Sequence, residues 1–279
     1  MTAGSKVRSI ADAVELIPDA ATVGIGGSSQ SRKPMALIKE ILRQRRKDLT
    51  VVTFLGGIDV ELLLAGDCVR KVRAALVSLD LVGLAPLFAR AHPSKCIVET
   101  EASLVFGMRA SAQGLSFLPA RGTLHTDIPS ARRDFLRVES PYEDEHLVAF
   151  PALKLDVALI HTSWATPLGT AGCDSAPILD RLLSEVSSTT IVTTERILEG
   201  EQPIGPVLVR RSQTTAVVEA PFGAHPTGCF PHYRQDIALL TEYSALATER
   251  GPEAALRLFA DSSDLSCEHF NRETLVVNR

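Results

Sequence analysis

At 279 residues the chain has room for one large domain or two small ones, and its 45% apolar content allows a substantial core. A formal net charge of −4 excludes a global attraction for nucleic acid or an anionic membrane surface. The opening MTAGSKVRSIADAVELI has no long apolar run, and no stretch approaches the roughly 20 apolar residues of a membrane span, so neither a signal peptide nor a membrane helix is expected.

In chain order, short β-branched runs alternate with longer amphipathic ones. Ala21 to Ile25 reads as a strand, Pro34 to Arg46 as a helix with proline in its first turn, and Leu49 to Phe54 and Val72 to Val77 as strands. Cys96 to Glu99 reads as another strand, followed at once by a helix from about Glu101 to Gln113. From Gly122 to Glu145 the chain is polar, with Pro129 and Pro141, and reads as a long excursion over the surface. Later strands are Leu155 to Ile160, Thr189 to Thr193, Val207 to Val209 and Ala216 to Glu219, and later helices Ile178 to Val186, Asp236 to Arg250 and Glu253 to Ala260. Strands separated by helices imply βαβ units, an α/β fold and a mainly parallel sheet flanked by helices. The near-continuous apolar run at Val157–Ile160 fits a strand buried on both faces. The whole of 1–279 reads as one domain, with the excursion at about 120–146 and a helical C-terminal segment at about 232–262.

Five cysteines (Cys68, Cys96, Cys173, Cys229 and Cys267) are far apart and form no Cys-x-x-Cys pair. That spacing argues against a disulfide framework or structural zinc and for a reducing, cytoplasmic setting. No spacing suggests a metal ligand set.

Gly24-Ile25-Gly26-Gly27-Ser28 follows the first strand directly, at the strand's carboxyl end, where α/β sheets bind ligands. Glycines there admit close backbone approach, and a following helix N-terminus favours a negative group. The third glycine of a dinucleotide fingerprint and the Gly-Lys-Ser/Thr of a P-loop are absent. A plain tight turn and a cradle for an oxyanion or thioester carbonyl both remain open. Arg32 and Lys33 precede a helix N-terminus and oppose its dipole. Either a site that holds an anion or simple solvent exposure accounts for them.

These residues also carry a resemblance. Val23-Gly24-Ile25-Gly26-Gly27 followed by Arg32-Lys33-Pro34-Met35-Ala36 resembles the opening of α-type subunits of class I CoA-transferases, in the glutaconate CoA-transferase branch. Further landmarks recur in order over about residues 10 to 245: Leu62–Gly66 with Val69–Val72, Arg109–Pro119, Pro151 with Asp156–His161, and Glu219–Pro226. The resemblance implies the NagB/RpiA/CoA-transferase-like fold and a heteromer with a β-type partner subunit. It implies a CoA thioester as substrate and no permanently bound cofactor. Gly24, Gly26, Gly27, Ser28 and Arg32 would bind the thioester. His161 and His225 would stand in the site wall, although a hydrogen-bonded structural histidine and a turn-stabilising one are the alternatives. After His161 the family's Ala-Asp-x-x-Gly-Asn is replaced by Ser163–Thr170.

In true transferases the catalytic glutamate lies in the β-type half, which would make this chain the wall that polarises the thioester while CoA moves between carboxylic acids. In the related steroid-ring-opening hydrolases the α-type chain supplies a glutamate. The resemblance there points to Glu101 rather than Glu99, while a glutamate in a first helical turn also serves the dipole. A hydrolase or decarboxylase with Glu101 as base is therefore the alternative to a transferase, and a non-enzymatic ligand sensor the second alternative. Cys229 is either a thiolate nucleophile or an inert thiol. Asp59 and Asp80 read as cap or turn residues.

Overall fold

A computed structural model describes residues 4–175 and 178–260. The strands are Thr22–Ile25 (β1), Leu49–Gly56 (β2), Val69–Val77 (β3), Cys96–Val98 (β4), Phe117–Ala120 (β5), Leu136–Glu139 (β6), His146–Pro151 (β7), Leu155–Thr162 (β8), Trp164–Ala165 (β9), Ala171–Gly172 (β10), Ser187–Thr194 (β11), Val207–Val209 (β12) and Ala216–Glu219 (β13). The α-helices are Ile10–Glu15 (α1), Met35–Arg43 (α2), Ile58–Ala65 (α3), Pro86–Arg90 (α4), Glu101–Ala112 (α5), Ile128–Ala131 (α6), Asp180–Val186 (α7), Ile237–Arg250 (α8) and Pro252–Ala260 (α9).

Seven strands form one parallel sheet in the order β13-β11-β8-β1-β2-β3-β4. Period-two alternation feeds a core on each face. Val51, Val157 and Leu159 join the cluster under α1–α3, α8 and α9. Val52, Ala158 and Ile160 join the one under α5 and α7. Buried on both sides, β8 is apolar almost throughout, as the sequence predicts. The chain builds outward from β1 through β2, β3 and β4, then returns to lay β8 on β1's other side. The strand order therefore reverses between β1 and β8, and the carboxyl ends of those two strands frame the crevice where such sheets bind ligands.

Three expectations change. Val207–Val209 pairs not with the main sheet but with β10 in a small sheet of order β12-β10-β9. The excursion is not bare loop. Its β6 pairs antiparallel with β7, and β5 pairs with β7's other edge. Phe135 is buried there against Phe150, with Phe106 packed on the cluster. Most polar residues of this stretch lie in the turns and short helix between β5 and β7, and one of them, Arg132, is buried against Glu99. The helix read from Pro34 stops at Arg43, because Arg45 turns left-handed at φ 56°. Cys267 and the last two residues of the expected C-terminal helical segment lie outside the described residues. Among the described residues no helix is long and apolar enough to cross a membrane.

Candidate active site

The turn after β1 is built by residues far away in the sequence. Gly26 N–H donates to the Leu159 carbonyl on β8 at 2.9 Å, and Gly27 N–H donates to Asp180 Oδ1 at the start of α7, also at 2.9 Å. Ser28 and Ser31 exchange backbone hydrogen bonds at 2.8 and 3.1 Å, closing a two-residue hairpin with Ser29 and Gln30 at its tip. Each glycine has its own reason. A Cβ on Gly24 would lie 2.5 Å from Leu155 Cδ1, where α7 and β8 press on the turn. On Gly26 it would lie 2.4 Å from Asp180 Oδ1. Gly27 holds φ at +71°, which glycine adopts at no steric cost. The amides of Gly26, Gly27 and Ser28 are thus committed inside the protein. Those of Ser29 and Gln30 have no acceptor among the described residues.

Arg32 and Lys33 do not face solvent. Both side chains are buried, Arg32 at 1% and Lys33 at 0% exposure. Arg32 pairs with Asp180 at 3.0 Å and donates to the His161 carbonyl at 3.2 Å, tying β1, β8 and α7 together beneath the turn. Lys33 pairs with Asp59 at 3.1 Å and donates to Thr53 Oγ1 at 2.8 Å. Burial alone would push the Asp180 carboxyl upward, but the Arg32 charge and its hydrogen bond, with those from the Gly27 and Ile178 amides, hold it below the usual carboxylate range. Each ion pair offsets the cost of burying its partner. Asp59 also accepts from Gly57 N–H at 2.7 Å, a turn role as well as an ionic one.

His161, at the carboxyl end of β8, is fully buried. Its Nδ1 lies 2.9 Å from Thr193 Oγ1 and its Nε2 2.8 Å from Glu195 Oε1. Glu195 also accepts from Tyr233 Oη at 2.6 Å and from Phe222 N–H at 2.8 Å. Burial opposes its charge, yet His161 and the other donors leave its carboxyl below its ordinary value. His161, Glu195 and Cys229 bring donor atoms within 4.8 Å of one another, near enough to hold a metal ion. The hydrogen-bond network already satisfies His161 and Glu195, however. Cys229 is a poor thiolate, because burial and the nearby Glu195 push its thiol up to about 12. The same shift removes it as a nucleophile, leaving the inert reading. His225 lies 3.0 Å from Asp236 Oδ2, and Asp236 caps α8 through Leu239 N–H, so this pair fixes the loop that follows β13.

The two carboxylates after β4 have opposite surroundings. Glu99 is buried, receives two hydrogen bonds from Arg73, and lies 2.7 Å from Arg132 Nη1. Ser103 Oγ also donates to it at 2.5 Å. Glu101 opens α5 exposed to solvent, after Thr100 has capped the helix through Ser103 N–H. Its carboxylate has no hydrogen-bond or ion-pair partner among the described residues.

Asp180, Glu195 and Tyr233 are not among the residues that the sequence singles out. Each stands at an element end or in a loop, in no motif, and only the fold brings it to the turn. A cavity of about 800 Å³, lined by Ala36, Lys39, Leu256 and Phe259 among others, lies away from this cluster and touches none of the glycine-turn, ion-pair, histidine or glutamate residues described in this site.

A parallel sheet whose switch point carries a glycine turn braced by buried ion pairs is the framework of an α/β enzyme that handles a small ligand at its strand ends. Residues 7–220 match the family described as coenzyme A transferase. The chain is 37% identical over 255 residues to the IpdA subunit of the cholesterol ring-cleaving hydrolase of Rhodococcus jostii, covering 86% of each. It is 29% identical over 275 residues to one of the subunits of glutaconate CoA-transferase of Acidaminococcus fermentans, covering 87% of this chain and 83% of that one. The crystal structure of the decarboxylase AibA/AibB matches with a TM-score of 0.83 at 29% identity, covering 91% of this chain and 99% of the other. The chain belongs to the coenzyme A transferase family, as an α-type subunit of the class I kind.

Proposed function

We propose that the chain is the α subunit of a two-subunit enzyme acting on a CoA thioester, completed by a β-type partner. The reaction we assign is cleavage by water, with Glu101 as general base. The observation that carries this is the contrast between Glu99 and Glu101. Glu99 is saturated by two arginines and a serine, whereas Glu101 is left open at the carboxyl pole of the sheet. The thioester carbonyl would accept from the free amides of Ser29 and Gln30. Gly24, Gly26, Gly27 and Arg32 set the turn's shape from beneath, and Ser28 opens it. Glu101 would take a proton from water as the hydroxide adds to the carbonyl carbon, and the CoA thiolate would leave with a proton. The similarity over 86% of the chain to a subunit of a ring-cleaving hydrolase supports hydrolysis as the class of reaction.

A second reading, transfer of CoA between carboxylic acids, is supported by the similarity to the glutaconate CoA-transferase chain. There the covalent step would belong to a glutamate of the partner. Neither reading calls for a permanently bound cofactor, and the setting we assign is the cytoplasm. Glu101→Gln decides between them. Under hydrolysis, turnover by the two-subunit complex falls by roughly 10² or more while assembly is unchanged. Unchanged turnover by an intact complex assigns the chemistry to the partner and leaves Glu101 as a helix-terminal charge.

A further inference from the structure

The cavity of about 800 Å³ takes most of its lining from the stretches where α2 and α3 end and the chain enters β2 and β3. Those are the amino ends of the strands, whereas the glycine turn follows the carboxyl end of β1. Its volume falls within the range of about 300–1,000 Å³ that small-molecule sites occupy. Leu42 near the end of α2, with Leu256 and Phe259 on α9, gives it an apolar wall.

Against that wall stands an excess of positive charge. Among the described residues the lining holds five cations and two carboxylates, in a chain whose net charge is −4, so the excess is local to this cavity. Both carboxylates are already engaged. Glu40 accepts from Arg43 at 2.6 and 2.5 Å and from Gln44 at 2.6 Å. Asp67 points to solvent and pairs with Lys95 at 3.5 Å. Lys39, Arg45, Arg46 and Lys47 are left with no carboxylate partner among the described residues. The Lys39 ammonium lies 5.6 Å from the centre of the Phe259 ring, and burial pushes its pKa below the usual lysine value. Arg46 donates to Gln44 Oε1 at 2.8 Å, but its Nε is buried without an acceptor. The end of α2 is shaped to carry these charges. Arg45 N–H donates to the Leu42 carbonyl at 3.1 Å and Arg46 N–H to the Ile41 carbonyl at 3.2 Å, a closure that usually takes glycine at its left-handed position. Arg45 occupies that position at φ 56°, at a steric cost that glycine would avoid, and brings a guanidinium to the cavity rim.

We propose that this cavity is a second ligand site, for an amphipathic anion: an apolar body of acyl-chain size that carries a carboxylate or a phosphate. The chain lies against Leu42, Leu256 and Phe259, and the head group is held by Lys39 and Arg46. Apolar walls with a few placed charges are the composition of a small-molecule site. A neutral lipid would leave the buried cations without a counter-charge, and a bare inorganic anion would leave the apolar wall wet, so only a ligand with both parts satisfies both. An adjoining pocket shares Lys47 and Asp67 with this one and adds Arg70, Lys71 and Lys95, so a head group with more than one negative charge also finds partners. The site is separate from the reaction assigned to Glu101 and stands whether or not that assignment does.

The test is calorimetric titration of the full chain with hexanoate, octanoate, decanoate and decyl phosphate, with circular dichroism and thermal unfolding as the check on folding. Affinity should rise by roughly fourfold for each methylene buried, as an apolar wall requires. Lys39→Met keeps most of the aliphatic stem and removes the charge, and should weaken decanoate and decyl phosphate by about 10-fold or more. Leu256→Asp sets a like charge in the wall and should abolish binding; if it does not fold, Lys39→Met alone decides. Arg137→Met, at an exposed cation on β6 outside the cavity, should change nothing. Failure of the folded wild type to bind either decanoate or decyl phosphate overturns the proposal. So does an affinity independent of chain length, or one that Lys39→Met leaves unchanged, which would place the anion elsewhere on the chain. Phosphatidylglycerol vesicles separate a free ligand from a membrane surface. The chain should stay in the supernatant when they are sedimented, and co-sedimentation that Lys39→Met abolishes would make this face a lipid-surface contact and overturn the small-molecule site.

Discussion

At the scale of single residues, Asp180 and Gly26 are two halves of one fit. The carboxylate stands where a Gly26 Cβ would be, and it holds the Gly27 amide and the Arg32 guanidinium. Asp180→Ala leaves Arg32 buried without its counter-charge, which costs about 3–5 kcal/mol. Gly26→Ala drives the carboxylate out of the same place and disturbs the same pair. The two changes therefore remove one interaction between them. The double variant should lose clearly less stability than the sum of the single losses, as urea denaturation of all four proteins would show. Independent, additive losses would mean that the two residues do not share a contact. The turn was legible in the sequence because its glycines are adjacent, and their number suggested an open cradle. Its shape was not, because the groups that fill the glycine spaces come from α7 and β8. Solvent exposure, one of the two readings open for Arg32 and Lys33, fails for the same reason: their counter-ions lie on other elements.

Acid should act on this cluster with a definite sign. Asp180 and Glu195 both titrate below their ordinary range in the folded chain. The stability each adds is present above its unfolded pKa, about 4, and is lost as pH falls through the lower folded value. Urea midpoints of the wild type should drop steeply below about pH 4. Asp180→Asn should show a shallower drop, since one of the two groups is gone.

At the scale of elements, the opposite sign is found at the start of α4. Glu61 on α3 accepts from Leu87 N–H at 3.1 Å and Phe88 N–H at 2.7 Å, capping α4 from outside, and from Tyr243 Oη on α8 at 3.1 Å. Burial outweighs these donors and raises its carboxyl above 4.5. A raised folded pKa means that stability is greatest below the unfolded value and declines as pH rises through the folded one. Glu61→Gln keeps one acceptor oxygen and cannot ionise. Its deficit relative to wild type should shrink as pH rises from about 4 to 8, read from thermal unfolding at each pH. A deficit that grows with pH would mean that the charged form is the stabilising one. Elements whose pattern is local were legible here: β1, β2, β8, α5 and α8 all fall within a few residues of their expected positions. The short ones were not. The four residues of α6 and the two each of β9 and β10 have too few turns or pleats to show a period. They exist because tertiary partners hold them.

At the scale of the whole molecule, the sheet order decides where chemistry can occur, and that order was foreshadowed only as a parallel α/β sheet. Which strand lies beside β1 depends on a return crossover that no local pattern encodes. The consequence reaches into synthesis. The acceptor for Gly27 lies 153 residues downstream, the counter-ion of Arg32 148 residues downstream, and the hydroxyl that holds the Lys33 amide 194 residues downstream. A chain emerging from the ribosome completes β1 to β4, with their local crossovers, long before any of these partners exists. Contacts so distant in sequence pay the largest loop-closure entropy and form late. The turn therefore takes its working shape only when the second half of the chain has closed over β1. Until then Arg32 has no counter-ion and the Lys33 amide no acceptor, and no half-made chain can offer a finished site to substrate or to a partner subunit.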